Sequence, residues 1–290
     1  MAAFDPSVHS YRGREAVLST KHGKELVIGP PLMARLGLRL RVPLDLDTDT
    51  LGTFTGEVPR IGTPGEVALR KARLGMAATG LPLGLANEGS FGPYPLAPFV
   101  PGDHEVLTFL DDELGIQVTE ELSTAETNFA HQVVREADAL DDFLRRVRFP
   151  SHGLIVRPNA RAQAAMIFKG ITTVQVLAEA VARCTEASAD GLALVETDMR
   201  AHLNPTRQTV LRDLAERLSL RLASPCSQCG APGWGLVGVV RGLPCELCGW
   251  ETDWVREEIH GCARCRLRRR RPRSDGRRFA DAENCPRCNP

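Results

Sequence analysis

Eight of the nine cysteines stand as four Cys-x-x-Cys pairs in the last quarter of the chain: Cys226/Cys229, Cys245/Cys248, Cys262/Cys265 and Cys285/Cys288. Two thiolates two residues apart can reach one tetrahedral metal from a tight turn, and two such turns complete a four-sulfur shell. Gaps of 15 residues between the first two pairs and 19 between the last two suit zinc ribbons. The spacing predicts two structural zinc ions, ligated by Cys226/Cys229/Cys245/Cys248 and by Cys262/Cys265/Cys285/Cys288. A crossed pairing, first with third and second with fourth, is the alternative. Paired free thiolates imply a reducing cytoplasm, with disulfides in a secreted protein as the competing reading. Cys184, alone in an apolar helical pattern, reads as a small core hydrophobe.

A closed four-sulfur site leaves no open position for substrate, so catalytic chemistry must be sought upstream. Three segments carry residue types suited to phosphate and magnesium. Ser19-Thr20-Lys21-His22-Gly23-Lys24 follows a strand-like run, and a hydroxyl, a glycine and a lysine at a strand end can cradle phosphate. The plain reading of that stretch is a surface turn. Gly62–Arg73 leads, after Thr79-Gly80, into an apolar run ending Asn87-Glu88-Gly89-Ser90, where a carboxylate beside glycine can hold Mg2+ or orient water. Against this, Glu66 completes a capping box with Thr63, and Glu88 reads equally as an exposed turn residue. Asn204-Pro205-Thr206-Arg207 puts an arginine in a helix's first turn, where the dipole favours anions; that points to an anionic ligand or to a neighbouring carboxylate. His131, His202 and Asp198 are further candidates, with Asp198 the preferred extra carboxylate.

The order and content of these segments resemble the inosine triphosphate pyrophosphatase family and its Maf-like relatives. Those proteins follow a strand with Thr-Gly-Asn-x-x-Lys. Here Ser19 and Lys24 match the ends, while Lys21 stands in the asparagine's place. Gly62-Thr63-Pro64-Gly65-Glu66-Val67-Ala68-Leu69-Arg70-Lys71-Ala72-Arg73 is similar to the family's next motif once one residue is dropped, with Val67 replacing its asparagine. Ala86-Asn87-Glu88-Gly89-Ser90 occupies the place of Ala-Asp-Asp-Ser-Gly and is closer to the Glu-Gly-Gly of the inosine/xanthosine triphosphatase branch. Pro205-Thr206-Arg207 resembles the closing Ser-His-Arg. The resemblance spans roughly residues 13–222 and is clearest over 62–90. It implies a mixed-sheet α/β fold and Mg2+-dependent hydrolysis of a nucleoside triphosphate at the α–β bond. Glu66, Glu88 and Asp198 would then serve catalysis, and Ser19, Lys24 and Arg207 would bind phosphate. The whole chain also resembles a bacterial family of unassigned function, which implies no mechanism. A non-enzymatic zinc-ribbon adaptor for protein or nucleic acid is the rival reading.

These residues need elements to hold them. Short apolar runs alternating with amphipathic stretches predict an α/β domain over 1–223, then zinc ribbons over 224–250 and 251–290. Predicted strands are Ala16–Thr20, Leu38–Val42, Leu81–Asn87, Glu105–Leu110, Ile116–Glu121, Leu154–Arg157 and Leu192–Glu196, with a hairpin at 111–115. Predicted helices cover Val67–Thr79 behind its capping box, Thr172–Ala187, and a run from Asn204-Pro205 to Leu222. Met1 to Arg14 does not read as a signal peptide, and no apolar run is long enough to span a membrane. The formal net charge is +0, but residues 224–290 carry 12 arginines against 8 acidic side chains. Much of that excess is the run Arg268–Arg271. No aromatic residue interrupts it, and two four-thiolate zinc sites would cancel the excess, so it reads as a solvated, charge-balancing loop with weak, non-specific affinity for nucleic acid.

Overall fold

The structure, a computed structural model, describes residues 11–44, 46, 61–95, 97–160 and 166–290. Its first lobe is built on a five-stranded mixed sheet of order β2-β1-β3-β4-β5, with β1 Glu15–Leu18, β2 Arg39–Arg41, β3 Leu83–Tyr94, β4 Ala97–Asp111 and β5 Ile116–Thr124. β1 pairs parallel with β2 and β3, and β3, β4 and β5 run antiparallel. Alternation along β4 divides its side chains. Leu107 and Phe109 face α1 (Glu25–Leu36) and α5 (Pro205–Leu222) in the main core, and Leu110 faces α2 (Pro64–Thr79) on the other side.

The helix starts form as their sequences dictate. The Thr63 hydroxyl accepts a hydrogen bond from Glu66 N while the Glu66 carboxylate accepts one from Thr63 N, with Pro64 at the first helical position. Asn204 caps α5 by accepting from Arg207 N. α1 escapes the sequence pattern because Gly29, Pro30 and Pro31 lie inside it. Burial of Val27, Ile28, Leu32 and Leu36 holds the helix despite those breakers.

β3 and β4 are longer than predicted. β3 continues through Asn87 to Tyr94, so Glu88 is a buried strand residue and not a turn carboxylate. The strands Leu154–Arg157 and Leu192–Glu196 belong to a second sheet, all antiparallel, of order β6-β9-β7-β8. Its strands are β6 His131–Val134, β7 Leu154–Pro158, β8 Phe168–Ile171 and β9 Ala193–Thr197. That sheet packs on α4 (Val174–Ala187), with α3 (Asp141–Arg146) between β6 and β7 in sequence and its own core around Leu154, Val156, Leu177 and Cys184. Burial pushes the Cys184 thiol up to about 11, consistent with an inert core residue. Among the described residues no helix is long and apolar enough to cross a membrane.

The C-terminal module is a three-stranded antiparallel sheet of β10 Gly235–Arg241, β11 Val255–Gly261 and β12 Arg268–Pro272. The arginine run is therefore an edge strand and not a loop.

Candidate functional site

Alternation along β3 and β4 also sorts the charged side chains. Glu105 shares the phase of Leu107 and Phe109, so it faces α5, whose Arg207 meets it through Nε at 2.6 Å and Nη2 at 3.3 Å. Glu88 lies on the opposite face, toward α2, and is ion-paired with Lys71. Both pairs are buried. Gly89, opposite Glu105 in the ladder, lets the first pair close: a Cβ there would come within 2.5 Å of Arg207 Nη2 and 2.7 Å of Glu105 Oε1. Arg207 also lies over the Phe91 ring at 5.1 Å.

β1 stops at Leu18 while β3 runs on, and the 19–24 loop turns across that step. Lys24 Nζ donates to the Asn87 carbonyl oxygen at 3.4 Å and feels the charges of both Glu105 and Glu88. Burial, followed by the Arg207 charge, pulls Lys24 down to about 8. Asn87 Nδ2 donates to Glu105 Oε2 at 2.9 Å and to the Val106 carbonyl oxygen at 3.0 Å. Next to Glu105 on the same face is Asp103, which is 2% exposed. Its burial, with the Glu105 charge beside it, pushes Asp103 up to about 8. Although burial alone would raise Glu105, the neighbouring Arg207 holds it below the usual carboxylate range.

Near neutral pH the group thus holds three cations, Lys24, Lys71 and Arg207, against the carboxylates Glu88 and Glu105, with Asp103 protonated. Ser19 Oγ, Thr20 Oγ1, Asn87 Oδ1 and both Asp103 oxygens are buried without a hydrogen-bond partner. Buried polar atoms left unpaired are costly, and such a concentration marks a place prepared for a polar ligand. A cleft of about 600 Å³ opens alongside, between the lobes, lined by Phe99, Asn128, Phe129, His131 and Arg146. Phe129, on the cleft wall, lies 5.9 Å from Phe91, the ring over which Arg207 sits.

Of the predicted site residues, Lys24, Glu88 and Arg207 come together here, Arg207 through the carboxylate partner that its unfavourable helix position implied, while Ser19 Oγ lies against Gly75 of α2. Glu66 and Asp198 stand apart from this group. Glu66 is exposed, its carboxylate accepting from Thr63 N at 2.8 Å and Thr63 Oγ1 at 3.1 Å, so the capping box accounts for it. Asp198 is fully buried but saturated, accepting from Gly170 N and Arg200 N at 3.1 Å and clamping the Arg200 guanidinium. It pins β9 to the turn that precedes α5. His202 stacks on His22 at 5.4 Å beside the 19–24 loop, and burial, then the Arg200 charge, lowers it. His131 is exposed on β6.

Lys71, Asp103 and Glu105 are absent from the predicted site, yet the sequence carries a signal for each. Lys71 falls on the apolar face of α2 with Val67, Ala68, Ala72 and Met76, where a lysine must find an acid. Asp103 and Glu105 share the period-2 phase of buried Leu107 and Phe109.

The eight paired cysteines form two tetrads, Cys226/Cys229/Cys262/Cys265 and Cys245/Cys248/Cys285/Cys288, with ligand atoms within 4.8 Å of one another. This overturns the pairing of neighbours in sequence: each tetrad takes one pair from 224–250 and one from 251–290. The strand geometry is the reason. The 15-residue gap contains β10, whose 7 residues carry the chain about 23 Å away from the first pair. β11 returns it antiparallel, Gly235 opposite Gly261, and so brings the third pair to the first. β12 reverses again and leads the fourth pair to the second. Sulfur–sulfur distances of 3.7, 3.7, 3.9 and 3.6 Å match the ~3.8 Å edge of a tetrahedron with Zn–S bonds near 2.3 Å. Each tetrad could bind one zinc ion.

The tetrads differ in their surroundings. The proximal one adjoins the first lobe: Ala263 packs on the main core, and Arg221 donates to the Thr119 and Gly233 carbonyl oxygens and pairs with Glu120 at 2.7 Å. The distal one lies at the far end of the three-stranded sheet, braced by Glu246 N donating to the Ala280 carbonyl oxygen.

The chain belongs to the family described as Domain of unknown function (DUF6671), whose model matches residues 71–290. That stretch includes Lys71, Glu88, Asp103, Glu105, Arg207 and all eight paired cysteines. No curated protein matches the chain.

Proposed function

We propose that this member of the DUF6671 family hydrolyses a nucleoside triphosphate, or a related phosphorylated nucleotide, at its α–β phosphate bond, with Mg2+ in the site and two structural zinc ions in the C-terminal module. The observation that carries the reading is the pair of buried ion pairs, Arg207 with Glu105 and Lys71 with Glu88, with the partly buried Lys24 as a third cation and unpartnered polar atoms beside them. Desolvated positive charge of this kind favours a compact polyanion, because no water competes for it. Its setting at the end of a parallel strand, and the resemblance of the 19–24, 62–73, 86–90 and 205–207 segments to inosine triphosphate pyrophosphatases, support the same reading.

Lys24, Lys71 and Arg207 would take the phosphates, with Ser19 and Thr20 hydroxyls at the loop. The interlobe cleft has room for the base and sugar, and its Phe129 and Phe99 offer aromatic faces. Asn87 Oδ1 and the Asp103 carboxylate, once it gives up its proton, are the hard oxygen donors that would hold Mg2+, which would neutralise phosphate charge when bound there. Glu88, held by Lys71, orients the attacking water and accepts its proton. Water attacks the α-phosphorus, the α–β anhydride bond breaks, and pyrophosphate leaves with the bonding pair. Positioning and charge neutralisation supply most of the catalysis in such chemistry, so no protein nucleophile is required. The test is a panel of nucleoside triphosphates with Mg2+, detecting pyrophosphate and orthophosphate separately. Release of pyrophosphate by the wild type and its loss in Glu88→Gln are expected; orthophosphate alone, or turnover that survives Glu88→Gln, would refute the assignment.

A further inference from the structure

Ten of the twelve arginines of the C-terminal module divide into two groups, with Arg241 donating to the Asp253 carbonyl oxygen and Arg287 lying over Trp250. Arg256, Arg270, Arg273 and Arg277 are each paired with a carboxylate, of Glu251, Glu257, Asp275 and Asp281 respectively. Among the described residues, Arg264, Arg266, Arg268, Arg269, Arg271 and Arg278 have no ion-pair partner. Cancellation over the whole module therefore hides a local excess. Five of these six lie along one path, from the proximal knuckle at 264–266 through the exposed edge strand β12. A row of five strand residues spans about 17 Å, room for two to three phosphates of an extended strand.

The module also brings aromatic rings to the end of that path, although none interrupts the run in sequence. β12 ends against β11 next to Trp254, over which Arg273 and Arg277 sit at 5.9 and 5.0 Å. Beyond it, on the distal knuckle, Trp250 and Phe279 are about half exposed, and Arg287 lies 5.7 Å over the Trp250 ring. Unpaired guanidinium groups leading to exposed rings with cationic neighbours are the two components that hold a polynucleotide whose bases are free to stack. A duplex would satisfy the arginines but leave the rings idle. An acidic protein segment would do the same.

We propose that the β12 edge and the distal knuckle form a binding surface for single-stranded nucleic acid, with phosphates on Arg268, Arg269 and Arg271 and bases stacked on Trp250 and Phe279. The surface is separate from the buried charged group, and the proposal stands whether or not the chain hydrolyses nucleotides.

The experiment is fluorescence anisotropy of the full zinc-loaded chain with labelled single-stranded 20-mers of dT and of U, a blunt duplex of the same length, and a poly-glutamate peptide, at about 50 to 200 mM salt. Single strands should bind at least tenfold tighter than duplex and peptide. Each neutralised phosphate on a single strand contributes about 0.7 to the logarithmic salt slope, so the Arg268→Ser/Arg269→Ser/Arg271→Ser variant should flatten it by about 2. Trp250→Ala should lower affinity roughly tenfold with the slope unchanged. Tighter binding of dT or of U decides between DNA and RNA as the ligand. Zinc content of two per chain certifies that each variant is folded. No binding, equal binding of the peptide or duplex, or a variant that leaves both slope and affinity intact would overturn the proposal.

Discussion

The α/β part and the C-terminal module use the same charged residue in opposite ways. In the first lobe, hydrocarbon makes the core and charge is drawn inside, where Arg207 is matched by Glu105 and Lys71 by Glu88, while Lys24, among the described residues, has only the Asn87 carbonyl oxygen. In the module there is little hydrocarbon to bury, cysteine tetrads do the work of a core, and arginine stays outside on β12. Burial makes charge costly and specific, suited to a small polyanion held in one pose. Exposure makes it cheap and diffuse, suited to a long polyanion held by many weak contacts.

The largest expected effect is on the module. Zinc binding there is folding energy, on the order of 10 kcal/mol per site. The double variant Cys262→Ser/Cys285→Ser disables one ligand in each tetrad and should leave no zinc by elemental analysis. If neighbours in sequence shared an ion, the same variant would keep one zinc. Singly, Cys262→Ser should also lower the stability of the α/β part, because the proximal tetrad is docked on it through Ala263 and through Arg221 donating to the Gly233 carbonyl oxygen, while Cys285→Ser should leave that part unchanged.

Next comes the cost of breaking a buried pair. Glu105→Gln strands the Arg207 charge and should destabilise the first lobe by about 3–5 kcal/mol in denaturant unfolding, whereas Arg268→Ser should stay within about 0.5 kcal/mol. Comparable values for the two would erase the distinction between the regions.

This contrast was only partly legible in the sequence. Cysteine spacing identifies the ligands but not their partners, because pairing depends on where three strands send the chain, and β10, with its two glycines and mixed pattern, has no strong strand signature. Capping boxes are local, so α2 and α5 start where predicted. Glu66 shows the limit of motif reading: a motif residue can be fully occupied by its own helix end. Glu105 already opens the predicted strand, and its burial follows from the phase of Leu107 and Phe109; Asp103 needs the strand extended by two residues beyond it. The aromatic neighbours of the arginines are contacts across loops, which a run of residues cannot display.

A smaller effect is the pH dependence of the lobe. Asp103 is raised to about 8 by burial and by the Glu105 charge, so the folded state prefers its protonated form. Its contribution to stability is complete below the unfolded value near 4 and is lost as pH rises through about 8. Wild-type Tm should therefore fall between about pH 5 and pH 8 by a few degrees more than that of Asp103→Asn. Equal falls in the two proteins would show that Asp103 ionises normally.

The most direct test of the buried site is pyrophosphate release from a nucleoside triphosphate with Mg2+ at about 150 mM salt, compared in wild type, Lys24→Ala and the Arg268→Ser/Arg269→Ser/Arg271→Ser variant. Turnover in the wild type and the triple arginine variant, with its loss in Lys24→Ala, is the predicted result. Turnover that survives in Lys24→Ala, or a folded, zinc-loaded wild type that neither binds nor hydrolyses any nucleotide, would contradict it.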